Sequence, residues 1–227
     1  GEGRLDLLDS AFDEQMYQCL NCRACEAVCP SGVQYGPLVE AARSQLEQHR
    51  PRPLWQRVAR TVGMRVPFDD VRRMRLMVGG LRLYQKTGLA ALVRRIGLLR
   101  LLRLETLEAM VPPVEEPALV SGTETWRPDS APKQAHLFNG CVMSTVFPNV
   151  NRATGRSLAH NGYATDVPAG QQCCGALFVH AGMMNEARRL ARTNIDAFEA
   201  AGEGPVVVTA AGCGAALKEY GHLLKDD

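Results

Sequence analysis

Four cysteines within eleven residues constrain this chain more than any other feature of its sequence. The stretch CLNCRACEAVCP places them at Cys19, Cys22, Cys25 and Cys29, and Pro30 follows the last of them. The spacing C-x2-C-x2-C-x3-C-P is a ligand run for a cubane iron–sulfur cluster, whose irons each take one soft thiolate. Two-residue gaps let thiolates converge on one side of a compact loop, and proline restricts the turn that follows. The run therefore predicts a 4Fe–4S cluster.

Other uses of these cysteines fit the spacing less well. Zinc sites favour two separated C-x2-C pairs, whereas this is one continuous run. Disulfides between cysteines so close in sequence would be strained. The chain has no second run of this kind, although the last cysteine of such a run ligates the other cluster in two-cluster proteins. Either Cys29 serves the same cluster as the other three cysteines, or the partner run lies outside this chain.

Composition and charge limit the classes of protein to which this chain can belong. The chain has 227 residues, of which 46% are hydrophobic and 22% charged, and a net charge of only +2. It contains no apolar run long enough for a transmembrane helix, and the acidic start GEGRLDLLDSAFDEQ is not a signal peptide. We therefore expect a cytoplasmic protein in a reducing compartment, where structural disulfides are rare.

Hydrophobic patterning divides the first half of the chain into two parts. We predict a ferredoxin-type module at residues 1–49, with a short helix on each side of the cysteine loop and the exit helix starting near Gly36 and Pro37. Its apolar stripe is predicted from helical spacing at Leu38, Ala41, Ala42 and Leu46. Residues 50–110 form a basic amphipathic helical region, in which 14 Arg or Lys face only four acidic residues.

The basic region allows more than one interpretation. Apolar residues recur at helical spacing at Leu92, Ile96, Leu99 and Leu102. One interpretation is a solvated basic face over an ordinary core. The others are contact with a quinone or with an anionic membrane, peripherally on the inner face of the cytoplasmic membrane, or contact with an acidic partner protein. Nucleic acid is a poorer fit, because the region has few aromatic residues for stacking.

The second half of the chain alternates strand and helix patterns. Residues 111–133 hold five prolines and are predicted as an ordered linker, which Trp126 pins to a domain surface. In residues 134–227, β-branched runs such as PVVV alternate with helices such as MNEARRLARTNIDAFEAAG. The apolar stripe of that helix is predicted at Ala187, Leu190, Ala191, Ile195 and Phe198. This order predicts an α/β domain with a mainly parallel sheet, so the fold class of the whole chain is α+β.

A second set of cysteines falls at the predicted strand ends of this α/β domain. Cys141, Cys173, Cys174 and Cys213 each lie close to a glycine. Carboxyl ends of parallel strands meet at one edge of a sheet, and glycine lets a backbone approach a bulky cofactor closely. We therefore expect these four cysteines to form a second metal or cluster site, although a lone cysteine is often only a small buried hydrophobe. His180 is expected near this site rather than as a ligand.

The two cysteine sets together resemble the iron–sulfur subunit of glycolate oxidase. The matching stretches include CLNCRACEAVCPSGVQYGPLVE, QQCCGAL and TAAGCGAALKEYGHLLK. The chain is similar more widely to lactate-utilisation, anaerobic glycerol-3-phosphate dehydrogenase and heterodisulfide reductase proteins that carry the cysteine-rich CCG domain. The resemblance implies an electron-transfer component of an oxidoreductase complex. Such a component passes electrons from a flavin-bearing 2-hydroxyacid dehydrogenase to a quinone or another acceptor.

The sequence departs from that family in three respects, which limit the clusters that we expect the chain to hold. The chain has one ferredoxin run and one CCG unit, where family members usually have two of each, which indicates a fragment or a naturally short paralogue. The motif also lacks its fifth cysteine, since Gly214, Ala215 and Ala216 follow Cys213. Four thiolates suffice for a cubane cluster or a zinc ion. The alternatives are therefore a docking subunit whose CCG unit binds zinc or no metal, and a reductase of disulfides or quinones.

Overall fold

The first half of the chain is helical in the computed structural model, which describes residues 9–114, 116–129 and 133–225. The acidic start at residues 1–8, part of the proline-rich linker and the last two residues lie outside these ranges. The helices are α1 (Ser10–Gln18), α2 (Ala24–Ala27), α3 (Tyr35–His49), α4 (Leu54–Arg60), α5 (Val66–Phe68), α6 (Val71–Lys86), α7 (Leu89–Arg95), α8 (Leu98–Leu101) and α9 (Glu105–Ala109), with a π-helical turn at Thr61–Arg65.

Local capping explains where two of these helices begin. The Asp9 carboxylate accepts a hydrogen bond from the Ala11 backbone NH at 3.3 Å, at the start of α1. The Asp70 carboxylate does the same for the Arg72 NH at 2.8 Å, at the start of α6. Short acidic side chains in this position satisfy backbone donors that have no partner within the helix. The helices predicted on either side of the cysteine loop and in the basic region are thus present.

The buried face of α3 differs from the predicted stripe. Leu46 is buried, but Leu38 is 58% exposed, and the face that packs inward carries Val39, Glu40 and Arg43 instead. The prediction was wrong because it followed apolar residues alone. Two charged side chains face inward here, since their partners lie elsewhere in the fold, and buried charges are tolerated when they are paired.

The apolar stripe of the basic region is largely exposed rather than covered by a core. Leu92, Ile96 and Leu102 are 54%, 63% and 55% exposed. Further exposed apolar side chains in this region are Leu54, Trp55, Val58, Val62, Val66, Leu76, Met77, Leu83, Leu89, Leu101, Leu104, Leu107 and Met110. The interpretation as a basic face over an ordinary core is therefore wrong for these residues. Apolar surface of this extent is typical of the contact sites of proteins.

The second half of the chain forms a four-stranded sheet with helices packed around it. Its elements are β1 (Thr125–Trp126), β2 (Lys133–Phe138), α10 (Val142–Thr145), α11 (Pro148–His160), β3 (Tyr163–Asp166), α12 (Ala176–His180), α13 (Met184–Ala201), β4 (Val206–Val208), α14 (Ala211–Lys218) and α15 (Tyr220–Leu223). The strand order is β1-β3-β2-β4. Strand β2 runs parallel to both β3 and β4, and β1 is antiparallel to β3. The predicted α+β class with a mainly parallel sheet is confirmed.

The linker forms part of this sheet layer. Leu119 is fully buried and donates its NH to the Ser144 carbonyl at 2.8 Å. Trp126 lies in β1, and its ring covers Gly155 so closely that a Cβ atom there would overlap it. The predicted contact between Trp126 and the domain surface is thus present, and it takes the form of an added strand.

The main core lies between α13 and the cysteine loops. Phe138, Phe178 and Leu190 are almost completely buried there, and Ala187 of α13 lies beside them. The apolar spacing of α13 predicted this face. Across the described ranges, no helix is long and apolar enough to cross a membrane.

Candidate functional site

Two residues of the first cysteine loop have a left-handed backbone conformation. Asn21 has φ 53° and Arg23 has φ 58°, values that non-glycine residues seldom adopt. Each stands between two cysteines of the run, so the chain reverses its winding between successive thiols. Backbone strain of this kind persists where the surrounding structure holds it. Here the side chains of both residues are anchored to the Glu40 carboxylate of α3, at 2.7 Å from Asn21 and 3.3 Å from Arg23.

Backbone amides surround two of the four sulfurs in this loop. The Sγ atom of Cys19 accepts a hydrogen bond from the Asn21 NH at 3.4 Å. The pKa of Cys29 is lowered, first by a hydrogen bond from the backbone of Val33 and then by those of its neighbours after Pro30. Amide donors favour the charged form of an acid. Cys22 and Cys25 are exposed at the surface of the loop.

The second cysteine set comes together in the α/β domain as its sequence predicted. Cys141 follows β2, Cys173 and Cys174 lie in the loop after β3, and Cys213 lies in the first turn of α14, after β4. The Sγ atoms of Cys141 and Cys173 are 3.4 Å apart. Cys174 is hydrogen-bonded through its side chain to both Cys173 and Cys213. The four sulfurs therefore form a continuous chain of contacts.

The pKa values of these thiols alternate along that chain. Thiol donation from Cys173, and then from Cys213, lowers the pKa of Cys174 to about 3. The same contacts raise the pKa of Cys173, chiefly through Cys141, and that of Cys213 through Cys174. The hydrogen bond from Cys173 lowers the pKa of Cys141. Two of the four sulfurs are thus favoured as thiolates, which are the form that binds soft metals.

A network of buried amide side chains holds the loops that carry these cysteines. Asn194 of α13 donates to the Cys173 carbonyl at 3.0 Å and accepts from the Gln172 NH at 2.7 Å. The Tyr220 hydroxyl donates to the Cys174 carbonyl at 2.9 Å and accepts from Asn194 at 3.0 Å. Buried polar groups with all partners in place rigidify a site.

The same kind of network ties the strand ends together. Asn151 of α11 donates to the Asn139 carbonyl at 2.9 Å and accepts from the Thr209 hydroxyl at 2.8 Å. The Gln171 side chain accepts from the Asn139 NH at 2.6 Å and donates to the Leu137 carbonyl at 3.2 Å. The sequence interpretation missed these residues. A signal existed for Asn194 alone, because it is a polar residue on the apolar face of α13.

A cavity of ≈ 720 Å³ lies between the two cysteine sets. Cys22 of the first set and Cys174 of the second both line it. Arg23 crosses from the cysteine loop to Glu219 at the end of α14, with one oxygen at 2.9 Å. His180 also lines this cavity, and its Nε2 atom is 4.0 Å from the Glu40 carboxylate. It lies beside the site, as expected, and burial lowers its pKa.

Arg43 of α3 joins the two halves of the molecule. Its guanidinium donates to the carbonyls of Met16 at 2.9 Å and of His180 at 2.7 Å, and it also contacts the Cys19 carbonyl. Gly182, just after α12, approaches the Arg43 backbone so closely that a Cβ atom there would overlap it. Its φ of +76° also favours glycine. These contacts fix the position of the first cysteine loop against the α/β domain.

The placement of the thiols bears on the kind of metal group that each cysteine set could hold. In the ranges that the structure describes, no three His, Cys, Asp or Glu side chains are placed to share one ion. A cluster differs from a single ion in its demands, since each iron needs one thiolate. Cys22 and Cys25, which are exposed, and the contacting sulfurs of the second set are donors of the kind that such a cluster takes.

Comparisons with known proteins match both halves of the chain. A family model described as "Cysteine-rich domain" (CCG) matches residues 135–218. A second, described as "Glycolate oxidase iron-sulfur subunit, linker region", matches residues 55–111, which is the basic region. No solved structure gives a significant match.

Curated relatives extend this similarity over nearly the whole chain. The "Probable glycolate oxidase iron-sulfur subunit" of Bacillus subtilis (strain 168) is 42% identical over 96% of this chain and 50% of the relative. The "Glycolate oxidase iron-sulfur subunit" of Escherichia coli (strain K12) is 36% identical over 94% of this chain and 48% of the relative. "Lactate utilization protein A" of Exiguobacterium sp. (strain ATCC BAA-1283 / AT1b) is 34% identical over 40% of this chain and 37% of the relative.

These comparisons confirm the resemblance that the cysteine motifs indicated. The chain spans about half the length of the two glycolate oxidase relatives. Its α/β domain is a CCG domain, and its basic region matches the linker region of glycolate oxidase iron–sulfur subunits. In domain content and in sequence, the chain is a homologue of the glycolate oxidase iron–sulfur subunits.

Proposed function

We propose that this chain is an electron-transfer component of a flavin-dependent 2-hydroxyacid dehydrogenase complex, with glycolate or lactate as the substrate of its partner. Cys19, Cys22, Cys25 and Cys29 hold one 4Fe–4S cluster in this proposal. Bound clusters would supply one-electron acceptance and donation at potentials set by burial and by hydrogen bonds to sulfur. The names of the relatives support an iron–sulfur role, because two relatives that match nearly the whole chain are named as iron–sulfur subunits.

The second centre is assigned to the cysteines of the CCG domain. Cys141, Cys173, Cys174 and Cys213 hold it, and the buried amides around them exclude water and orient the loops. The observation that carries the relay proposal is the shared cavity, since Cys22 and Cys174 line the same space. Electrons entering at the exposed edge of the first loop would then have a short path into the buried set.

Metal and sulfide analysis tests this assignment. The chain is purified anaerobically, and iron, acid-labile sulfide and zinc are measured per chain, together with EPR of the dithionite-reduced sample. Two cubane-sized centres give about eight irons, and we expect about four in Cys22→Ala and about four in Cys174→Ala. The two variants act as controls for each other, because each removes a ligand from one set only.

Two other results would replace parts of the proposal. One such result is the loss of zinc in Cys174→Ala while about four irons per chain remain. The CCG domain would then be a docking domain that zinc stabilises. A chain without iron after anaerobic reconstitution with iron and sulfide refutes the relay altogether. Reduction by the flavoprotein partner is followed by bleaching of the visible absorption on addition of glycolate or lactate, and Cys22→Ala should abolish it.

The basic region is proposed to contact the anionic surface of a membrane, where a quinone acceptor would be reached. Exposed apolar side chains such as Leu76 (78%) and Leu101 (79%) stand among arginines there. Apolar burial and attraction to anionic lipid act together in peripheral binding. The test is sedimentation with phosphatidylglycerol vesicles, with phosphatidylcholine vesicles as the uncharged control. The double variant Leu76→Ser/Leu101→Ser should lose binding, and equal binding by the variant contradicts the proposal.

A further inference from the structure

A cleft lined by arginine side chains lies where the helical half of the molecule borders the CCG domain. It has a volume of ≈ 460 Å³ and is formed by the end of α3, by α4, by the π-helical turn and by Met183 of the CCG domain. We call it the arginine cleft, and its arginines are Arg50, Arg52, Arg57, Arg60 and Arg65. No cysteine lines it, so the proposed electron relay makes no use of it.

Several of these arginines are held in place by one aromatic ring and one carboxylate. The guanidinium carbons of Arg52 and Arg60 lie 5.7 and 5.9 Å from the centre of the Tyr17 ring, and that of Arg43 lies at 5.4 Å. Glu47 pairs with Arg52 at 2.8 Å and with Arg60 at 2.9 Å. Cation–π contacts and ion pairs fix planar guanidinium groups without consuming all their donors.

Positive charge remains in excess in the arginine cleft. Arg50 pairs with Asp13 and Arg65 with Glu186, while Glu47 serves two arginines. Arg57 is exposed and has no ion pair within the described part of the chain. The lining arginines therefore outnumber the carboxylates that pair with them by two. Like charges so close together repel one another, and a bound anion relieves that repulsion.

Two arginines of the cleft also carry N–H groups that donate no hydrogen bond within the described part of the chain. The Nε groups of Arg52 and Arg60 are buried and have no hydrogen-bond partner among the residues that the structure describes. A buried donor without an acceptor costs free energy, so such groups are rare in stable folds. Both residues line the cleft, so these donors lie in its wall. The π-helical turn at Thr61–Arg65 forms one wall, and π-helical turns occur frequently at functional sites.

We propose that the arginine cleft binds a phosphate group, carried either by a small organic phosphate or by a lipid headgroup. Guanidinium groups enter the cleft from more than one element, which suits the tetrahedral oxygens of phosphate better than a planar carboxylate. The two uncompensated positive charges match a phosphate monoester, which carries close to two negative charges at neutral pH. The volume lies in the range of ligand pockets and leaves room for an organic substituent.

Calorimetric titration of the whole chain with inorganic pyrophosphate tests the proposal. We expect saturable binding that weakens about tenfold in Arg57→Gln, because the loss of one charge-assisted hydrogen bond has that size. The Arg57 side chain makes no ion pair with any described residue, so the variant should fold normally. Arg73→Gln is the matched control, since Arg73 is an exposed arginine on α6 that does not line the cleft. It should bind pyrophosphate like the wild type.

A second arm of the experiment identifies the source of the phosphate. Phosphatidylcholine vesicles that contain phosphatidic acid present the same group on a surface. Binding of these vesicles that depends on Arg57, without binding of free pyrophosphate, assigns the cleft to a lipid headgroup. Malonate, which carries two carboxylates and no phosphate, is the control dianion, and binding of malonate as tight as that of pyrophosphate overturns the assignment to phosphate. Equal losses in Arg57→Gln and Arg73→Gln, or no saturable binding in either arm, overturn the site itself.

Discussion

Replacement of Arg43 by methionine should loosen the joint between the ferredoxin-type loop and the CCG domain. The Arg43 side chain is buried, with the residue 4% exposed. Its guanidinium donates hydrogen bonds to the carbonyl groups of Met16, Cys19 and His180. Methionine fills a similar volume but donates no hydrogen bond, so three carbonyls lose their charged donor. Each buried group left unsatisfied costs at least about 1 kcal/mol, so we expect a loss of about 3 kcal/mol in the free energy of unfolding.

Urea denaturation followed by circular dichroism measures this loss. A chain of this size has a dependence on urea of about 3 kcal/mol per molar, so the midpoint should fall by about 1 M. Arg73→Met is the control, because Arg73 is exposed on α6, and its midpoint should stay within the error of the wild type. Proteolysis should also become faster between residues 49 and 54, where the chain runs between helices. A midpoint for Arg43→Met within 0.2 M of the control, on the order of the measurement error, would falsify the reasoning.

Three further variants test other parts of the structure. Gly155→Ala should lower the free energy of unfolding by about 1–3 kcal/mol, because the added methyl overlaps the Trp126 ring. Tryptophan fluorescence during unfolding measures this loss, and an unchanged midpoint contradicts the packing. Asn194→Leu should remove the support of the Cys173 carbonyl and cost about 2 kcal/mol. Iron in the second centre should fall while the EPR signal of the first centre stays; loss of both signals would mean general unfolding. Burial lowers the pKa of His180, so its neutral form is favoured in the folded state, and its contribution to stability is lost as pH falls through 6.5 and below. His180→Gln should therefore lose less stability than the wild type between pH 7.5 and pH 5.5, and parallel losses would exclude this residue as the cause.

Cysteine spacing and apolar periodicity made much of the fold and of the candidate site predictable. Strand ends of a parallel sheet share one edge, so the contact between Cys141 and Cys173 followed from where the strands lie in sequence. The helical period of α13 likewise identified its buried face through Ala187 and Leu190. Both inferences rest on local patterns that the sheet and the helix impose directly.

Features that depend on partners distant in sequence could not be predicted in this way. Arg43 faces inward because a carbonyl of α12, 137 residues away, accepts its hydrogen bond. Hydrophobic periodicity marks Leu92 and Ile96 as one face of a helix, but it does not tell what covers that face. The cavity shared by Cys22 and Cys174 depends in turn on the close approach of Gly182 to α3. No local signal in either cysteine motif encodes that approach.

The position of β1 has a practical consequence for cutting the protein into parts. The CCG family match begins at residue 135, yet Leu119 and Trp126 pack against Leu137 and Val167, which lie inside that match. A fragment trimmed to the matched residues would expose these apolar surfaces and leave β3 as a bare edge, which is a template for aggregation. An excised CCG domain should therefore start before Leu119, which is itself fully buried, so that it carries its own edge strand.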